Sequence, residues 1–271
     1  MRRRDLPWAG LAALVAAIYA FILGPILITA AVSFNGTNRS FFPPQGLSMR
    51  WWGEVFKAQW MQPLAFSLEL AALTALIATA IGVPLAFAFH RHEFPGKAAL
   101  RALTLGPLIL PTLVTGIALL QFLTVIGLNR WIGFWALLIG HVIICLPFSV
   151  RTVAISLAAM PGSVESAAAS LGATPAAVLR HVTLPLVMPG VFAGLTFAFI
   201  HSFTDVNLSI FLAKAGQRPV TVAILAFLEF GFAPTLAALS MLTLVLPLVL
   251  IAILGRFVGL GDFLYQEQGR G

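Results

Sequence analysis

The sequence predicts an all-α, polytopic membrane protein with six transmembrane helices and both termini in the cytoplasm. Three observations carry that prediction. The 271 residues are 60% apolar and only 9% charged, with a strongly positive mean hydropathy, whereas a soluble domain carries roughly 25% charged residues. A single soluble core stops growing at about this chain length, so a water-soluble fold has no room for so much apolar surface. The apolar residues also fall in runs of about 20, the length that spans a bilayer as a helix. None of the runs alternates with period two as a barrel strand would, and helices satisfy their own backbone groups in lipid.

The runs are 9–32, 64–89, 100–126, 132–153, 186–206 and 235–257. The opening "MRRR" resembles the start of a signal peptide, but the run from Trp8 is too long for a signal core and lacks a clear cleavage site. It reads as an uncleaved first span. Residues 33–63 form an outer loop, "SFNGTNRSFFPPQGLSMRWWGEVFKAQW", rich in turn residues and ending in Trp51, Trp52 and Trp60. Tryptophan favours the membrane–water boundary, so the stretch from Leu47 onward is expected there as a short amphipathic helix. It serves as an interfacial anchor or as a docking surface for an outside partner. Pro84, Pro107, Pro111 and Pro147 lie in or beside spans. Each removes a backbone bond, giving either a packing kink or a bending point for a gate. Cys145, the single cysteine, reads as a small packing residue.

Orientation follows from the basic residues beside the spans. With the N-terminus inside, Arg2, Arg3, Arg4, Arg91, Lys97, Arg101, Arg151, Arg180, Arg256 and Arg270 are cytoplasmic. Arg39, Arg50, Lys57, Arg130, Lys214 and Arg218 fall outside, mostly in longer loops where the rule is weak. The net charge of +7 is scattered singly between apolar runs. It therefore reports topology, and no nucleic-acid partner is expected.

The longest internal loop departs from its surroundings. "SVESAAASLGATPAAVLRHVTLPLVMPG" is small, alanine-rich and mildly amphipathic. Pro161 and Gly162 stop the preceding helix, Ser163 suits an N-cap, and Glu165 falls in the first turn, where a carboxylate complements the helix dipole. Gly172 stands where a residue of positive φ ends the helix. Thr174 and Pro175 form a second cap and first turn, and Pro185 is expected to end the second short helix before the fifth span. The loop holds no nucleophile or metal-ligand constellation. Its chemistry is contact, that of a knob for a socket on another protein.

Here the pattern resembles the coupling motif of type I ABC-importer permeases: Glu-Ala-Ala, three residues, Gly, nine residues, Ile-x-Leu-Pro. The matching positions are Ser166, Ala167 and Ala168, then Gly172, then Val182, Leu184 and Pro185. Ser166 stands where the family has glutamate and Glu165 lies one residue earlier, so either residue can fill that role. The resemblance covers roughly residues 64–257. It implies a permease core of five helices over 64–257, with the coupling loop at 158–185 and a cytoplasmic tail at 258–271. Residues 1–63 would add the first span and outer loop.

It also implies a bacterial inner membrane setting and three protein partners besides membrane lipid. They are an ATP-binding cassette ATPase dimer gripping the loop, a second permease chain, identical or homologous, and an extracytoplasmic solute-binding protein. The chain has no G-x-x-x-x-G-K-[ST] loop, so ATP is expected on the partner subunit and no cofactor on this one. "FIHSFTDVNLSIFLAKAGQRPVTVAIL", "FAPTLAALSML" and "SFNG…FPPQGLSMRWW" resemble the spermidine/putrescine branch. Permeases for aminoethylphosphonate, ferric iron, thiamine or opines share much of this architecture.

Three carboxylates are candidates for a cation-attracting solute pathway: Glu69 in the second span, Asp205 near the outer end of the fifth, and Glu229 just before the sixth. An intramembrane carboxylate costs about 2.5–3.5 kcal/mol at mid-depth and usually faces water or a bundle interior. Helix packing, or snorkelling for Asp205 and Glu229, is the alternative. His141 and His201 read as packing histidines, and no metal site is expected. Two functions of another class remain. An intramembrane enzyme would need a motif such as G-x-S-x-G or H-E-x-x-H, and neither occurs. A secondary transporter would normally show an internal repeat and several buried charges.

Overall fold

The computed structural model describes residues 6–229 and 231–257. The expected tail, 258–271, and Arg2, Arg3, Arg4 and Arg270 lie outside the described residues. Along the chain come α1 (Leu6–Val32), α2 (Arg50–Val55), α3 (Ala58–Arg91), α4 (Lys97–Leu105) and α5 (Thr112–Val125). They are followed by α6 (Phe134–Ala159), α7 (Gly162–Ser170), α8 (Pro175–Val178), α9 (Leu184–Thr204), α10 (Ser209–Leu212), α11 (Val220–Leu228) and α12 (Pro234–Phe257). Only two isolated bridges, Asn35 with Leu47 and Lys214 with Gln217, interrupt this all-α arrangement among the described residues. Five helical stretches are long and apolar enough to cross a membrane, and six if the bent pair α4–α5 counts as one.

That bent pair corrects the third expected span. Residues 100–126 do not form one helix: the axis turns by 112° between Lys97–Leu108 and Thr112–Val125. A tight turn at Gly106–Leu108 contains Pro107, and Pro111 stands immediately before α5. Two prolines four residues apart remove two N–H donors, and Pro111 itself, at φ −59° and ψ 130°, leaves the helical region. The 14 residues of α5 reach only about 21 Å, short of the roughly 30 Å hydrocarbon layer.

The chain divides into two compact units. One takes in the chain up to Met61 together with Ala226–Leu248. In it, α1 exposes apolar side chains along its length. The outer loop closes around buried Asn35, whose Oδ1 accepts from the Thr37 and Gln45 N–H groups at 3.2 and 3.1 Å. Its Nδ2 donates to the Arg39 carbonyl at 2.7 Å, and Trp51 Nε1 donates to the Asn35 carbonyl at 2.7 Å. Ser40 Oγ donates to the Phe232 carbonyl at 2.7 Å. The expected interfacial helix is only α2, and Trp60 belongs to α3, where it is 3% exposed and lies edge-on to Phe227 at 5.2 Å. The Trp51 indole N–H is taken by the Asn35 carbonyl, whereas the buried Trp60 indole N–H has no hydrogen-bond partner and its ring packs on Phe227.

The other unit comprises, among the described residues, Gln62–Leu225 and 249–257. Its densest helix pair is α6 with α9. A Cβ added to Gly190 would stand 2.7 Å from the Thr152 carbonyl oxygen, and one on Gly194 would stand 2.9 Å from Ser149 Cα. Gly190 and Gly194 form a G-x-x-x-G step, and Ser149, Thr152 and Ser156 face it, so the two backbones approach closely without lipid between them. Ala86, Phe89, Val150, Val153, Leu157 and Val187 join α3 to this pair.

Candidate functional site

The loop between α6 and α9 folds as a helical hairpin. Pro161, with φ −64° and ψ 123°, precedes α7. Ser163 is therefore not the N-cap: it sits inside the first turn, because Pro161 already takes the extended conformation that a cap requires. Glu165 lies in that turn as expected. α7 closes in a Schellman motif. The Gly172 N–H donates to the Ala169 carbonyl at 2.9 Å and the Ala173 N–H to the Ala168 carbonyl at 3.1 Å. Gly172 has φ +88°, and a Cβ added there would meet nothing within 4 Å. The glycine answers to backbone conformation, not to crowding.

Thr174 caps α8, its Oγ1 accepting from the Ala177 N–H at 3.3 Å, with Pro175 in the first turn. Pro185 does not end the second helix. A π-helical turn, Leu179–Thr183, carries α8 straight into α9, and the run Pro175–Thr204 is continuous. Proline needs room at the carbonyl four residues back, here His181, and lacks the N–H that would bond to it. A widened turn at that point relieves both demands. Val182 and Leu184 are half-buried and Pro185 is exposed on this stretch.

Glu165 fastens the hairpin to the helices on either side. Its carboxylate accepts hydrogen bonds from the Thr183 hydroxyl at the start of α9 and from the Arg91 guanidinium at the end of α3. The Arg91 and Glu165 side chains are 31% and 27% exposed, so the pair is only partly screened. The Thr183 hydroxyl first, and the Arg91 guanidinium with it, hold the Glu165 carboxyl below the usual carboxylate range. Ser166 turns outward, exposed, and its Oγ donates only to the Gly162 carbonyl at 3.1 Å. Ala167 is exposed and Ala168 half-buried, while Leu171 at the hairpin tip is 89% exposed. The hairpin thus has an anchored inner face and, on α7, an outer face of small side chains without charge, with exposed Arg180 following on the π-helical turn.

The three carboxylates have different settings. Glu69 is exposed on α3, and Glu229 is exposed just beyond α11. Asp205 is 7% exposed. Its Oδ2 accepts from the Leu208 N–H at 3.2 Å, the Ser209 N–H at 3.0 Å and the Ser209 hydroxyl at 3.0 Å. Asp205 thereby satisfies the donors at the start of α10. Fully buried His141 lies between the hydroxyls of Ser202, at 2.7 Å, and Ser209, at 2.9 Å. Cys145 is buried and free, within 3.4 Å of the Ala198 carbonyl. No cluster of three metal-ligating side chains occurs among the described residues.

Sequence reasoning missed Arg91 and Thr183 because their partner lies 74 and 18 residues away. It also missed the Gly190–Gly194 step, although the G-x-x-x-G spacing in an apolar run was there to be read.

Comparison with known proteins gives this geometry a context. The family of binding-protein-dependent transport system inner membrane components matches residues 78–260. The spermidine/putrescine transport system permease protein PotC of Escherichia coli (strain K12) is 34% identical over 236 residues, covering 87% of this chain and 88% of that protein. The putrescine transport system permease protein PotI of the same strain is 29% identical over 232 residues, covering 83% and 82%. The fold is shared with a solved bacterial ABC transporter involved in the import of the acidic polysaccharide alginate. The TM-score is 0.73 at 16% identity, over 94% of this chain and 96% of that one. With this hairpin, these apolar helices and this extent of likeness, the chain belongs to the family of binding-protein-dependent transport system inner membrane components.

Proposed function

We propose that this chain is the transmembrane permease subunit of an ATP-driven polyamine importer, forming part of the solute pathway and taking its energy from a separate ATPase. The observation that carries the coupling is the Glu165 clasp. A hairpin whose first helix, α7, presents a small, uncharged outer face is joined through one carboxylate to the end of α3 and the start of α9 at once. Force applied to the hairpin by a partner therefore reaches two membrane helices directly. Ala167, Ala168 and Leu171 supply the contact face, Gly172 its turn, and Val182, Leu184 and Pro185 the link into α9. Glu165 acts as the internal strut, and Ser166 stands on the side offered to the partner.

In this reading the hairpin and both termini face the cytoplasm of a bacterial inner membrane. ATP is bound by the ATPase dimer, a second permease chain completes the pathway, and a solute-binding protein delivers from outside. The polyamine assignment rests on the likeness to PotC and PotI, and exposed Glu69 on α3 suits a cationic solute. Proteoliposomes holding this chain, its ATPase, its partner permease and its binding protein test the reading. ATP-dependent uptake of labelled spermidine or putrescine is expected, with neither uptake nor hydrolysis by this chain alone. Uptake by the isolated chain down an ion gradient would instead indicate a secondary transporter.

A further inference from the structure

At the end of α3 that carries Arg91, helices α3, α4 and α6 line a cavity of about 330 Å³. His90, Lys97, Arg101 and Arg151 point their chemistry into it, with Glu93 as its one carboxylate. Glu93 is already matched, since its Oε1 lies 2.6 Å from Lys97 Nζ. Among the described residues no carboxylate lies within 4.0 Å of Arg101 or Arg151. Two guanidinium groups from different helices therefore meet one cavity whose single carboxylate is already paired with Lys97. Arginine in such a place suits a phosphate, whose oxygens match its forked donors.

The rest of the cavity points to where that phosphate comes from. The apolar residues of its wall, Phe89 and Val150 among them, are buried in the core, and the exposed apolar surface beside the cations belongs to α4, at Leu100 and Leu103. On α4, Lys97 and Arg101 stand one turn apart on the cavity side, while Leu103 on another face is 76% exposed. With Gly106–Leu108, α4 runs at 112° to α5, as an amphipathic helix lying along a membrane surface does. A free phosphate would use the cations and leave the exposed leucines of α4 without a partner. A phospholipid uses both.

We propose that this cavity binds the phosphate of an anionic phospholipid, such as phosphatidylglycerol, with Arg101 and Arg151 as the principal ligands and the acyl chains along the exposed apolar face of α4. In the orientation proposed above the cavity lies on the cytoplasmic side, where basic pockets between membrane helices are suited to such head groups.

The full chain is released from nanodiscs containing equal phosphatidylglycerol and phosphatidylcholine and weighed by native mass spectrometry. Wild type is expected to retain phosphatidylglycerol in preference. Arg101→Ala/Arg151→Ala is expected to retain roughly thirtyfold less, the loss that two cations facing an anionic lipid predict. Arg101→Lys/Arg151→Lys, which keeps the charge, is expected to recover part of the binding, and Arg130→Ala to bind as wild type. A thermal unfolding midpoint for each variant separates lost binding from lost folding. Millimolar inorganic phosphate distinguishes the sources: failure to displace the lipid supports the phospholipid, and full displacement with phosphate bound alone overturns it in favour of a soluble anion. Equal retention of the two lipids, or unchanged retention in the alanine variant, overturns the proposal. So does a variant that keeps its lipid but loses the ATPase, which would make the cavity a protein interface.

Discussion

Gly172 and Glu165 are the residues on which the hairpin depends. At φ +88°, any L-residue with a Cβ pays roughly 1–2 kcal/mol in the left-handed region, although nothing crowds the position. Gly172→Leu and Gly172→Asp are expected to insert normally and to lose most ATP-coupled uptake, because the hairpin relaxes away from its docking geometry. Uptake at the wild-type rate would remove Gly172 from any role in coupling. At Glu165 the effect runs through charge. Its carboxyl is held below its ordinary range by Thr183 and Arg91, so the clasp is fully present above the ordinary carboxylate pKa. It is lost as pH falls through the lowered value. Coupled uptake should accordingly stay independent of this group from neutral pH down to the ordinary carboxylate range. Glu165→Gln should reproduce the acid state at neutral pH. A partly exposed pair of this kind contributes about 1 kcal/mol, so coupling efficiency, measured as solute moved per ATP, should fall roughly fivefold. A variant whose efficiency matches wild type would show that the clasp carries no force.

At the scale of the elements, the seam between α6 and α9 governs whether a pull on the hairpin is transmitted. Gly194→Leu would place side-chain atoms against Ser149 and Thr152. Such overpacking costs about 1–3 kcal/mol, which should appear as a lower thermal unfolding midpoint in detergent, while Gly10→Leu, with open space around it, should leave the midpoint unchanged. Asp205 belongs to the same scale. Asp205→Ala strands the Leu208 and Ser209 donors and should destabilise by about 1–3 kcal/mol without changing the apparent affinity for solute in transport. A changed affinity with intact stability would return Asp205 to the pathway.

Five of the expected spans were legible as elements because long apolar runs are what lipid demands of a helix. The third was not, since average hydropathy is blind to the two donors missing at Pro107 and Pro111. Pro185 misled for a related reason. Proline is read as a stop, yet the π-helical turn at Leu179–Thr183 gives it the room that a regular helix denies.

For the whole molecule, composition and motif spacing alone reach the family and the hairpin. Gly172, Thr174 and the position of Glu165 were readable because capping and positive φ are local demands. What joins the hairpin to the membrane helices was not readable. Arg91 and Thr183 become partners of Glu165 only when separate helices are brought together, and no local rule selects that pairing.

The central claim, that an ATPase grips this hairpin from the cytoplasm, is tested most directly by Ala168→Cys in the assembled complex, with a short bifunctional thiol crosslinker. Native Cys145 is buried and should not compete. The prediction is a crosslink to the nucleotide-hydrolysing subunit, from a cysteine that membrane-impermeant reagent cannot reach from outside the cell. Labelling of that cysteine from the external face, or crosslinking that never captures the ATPase, would contradict it.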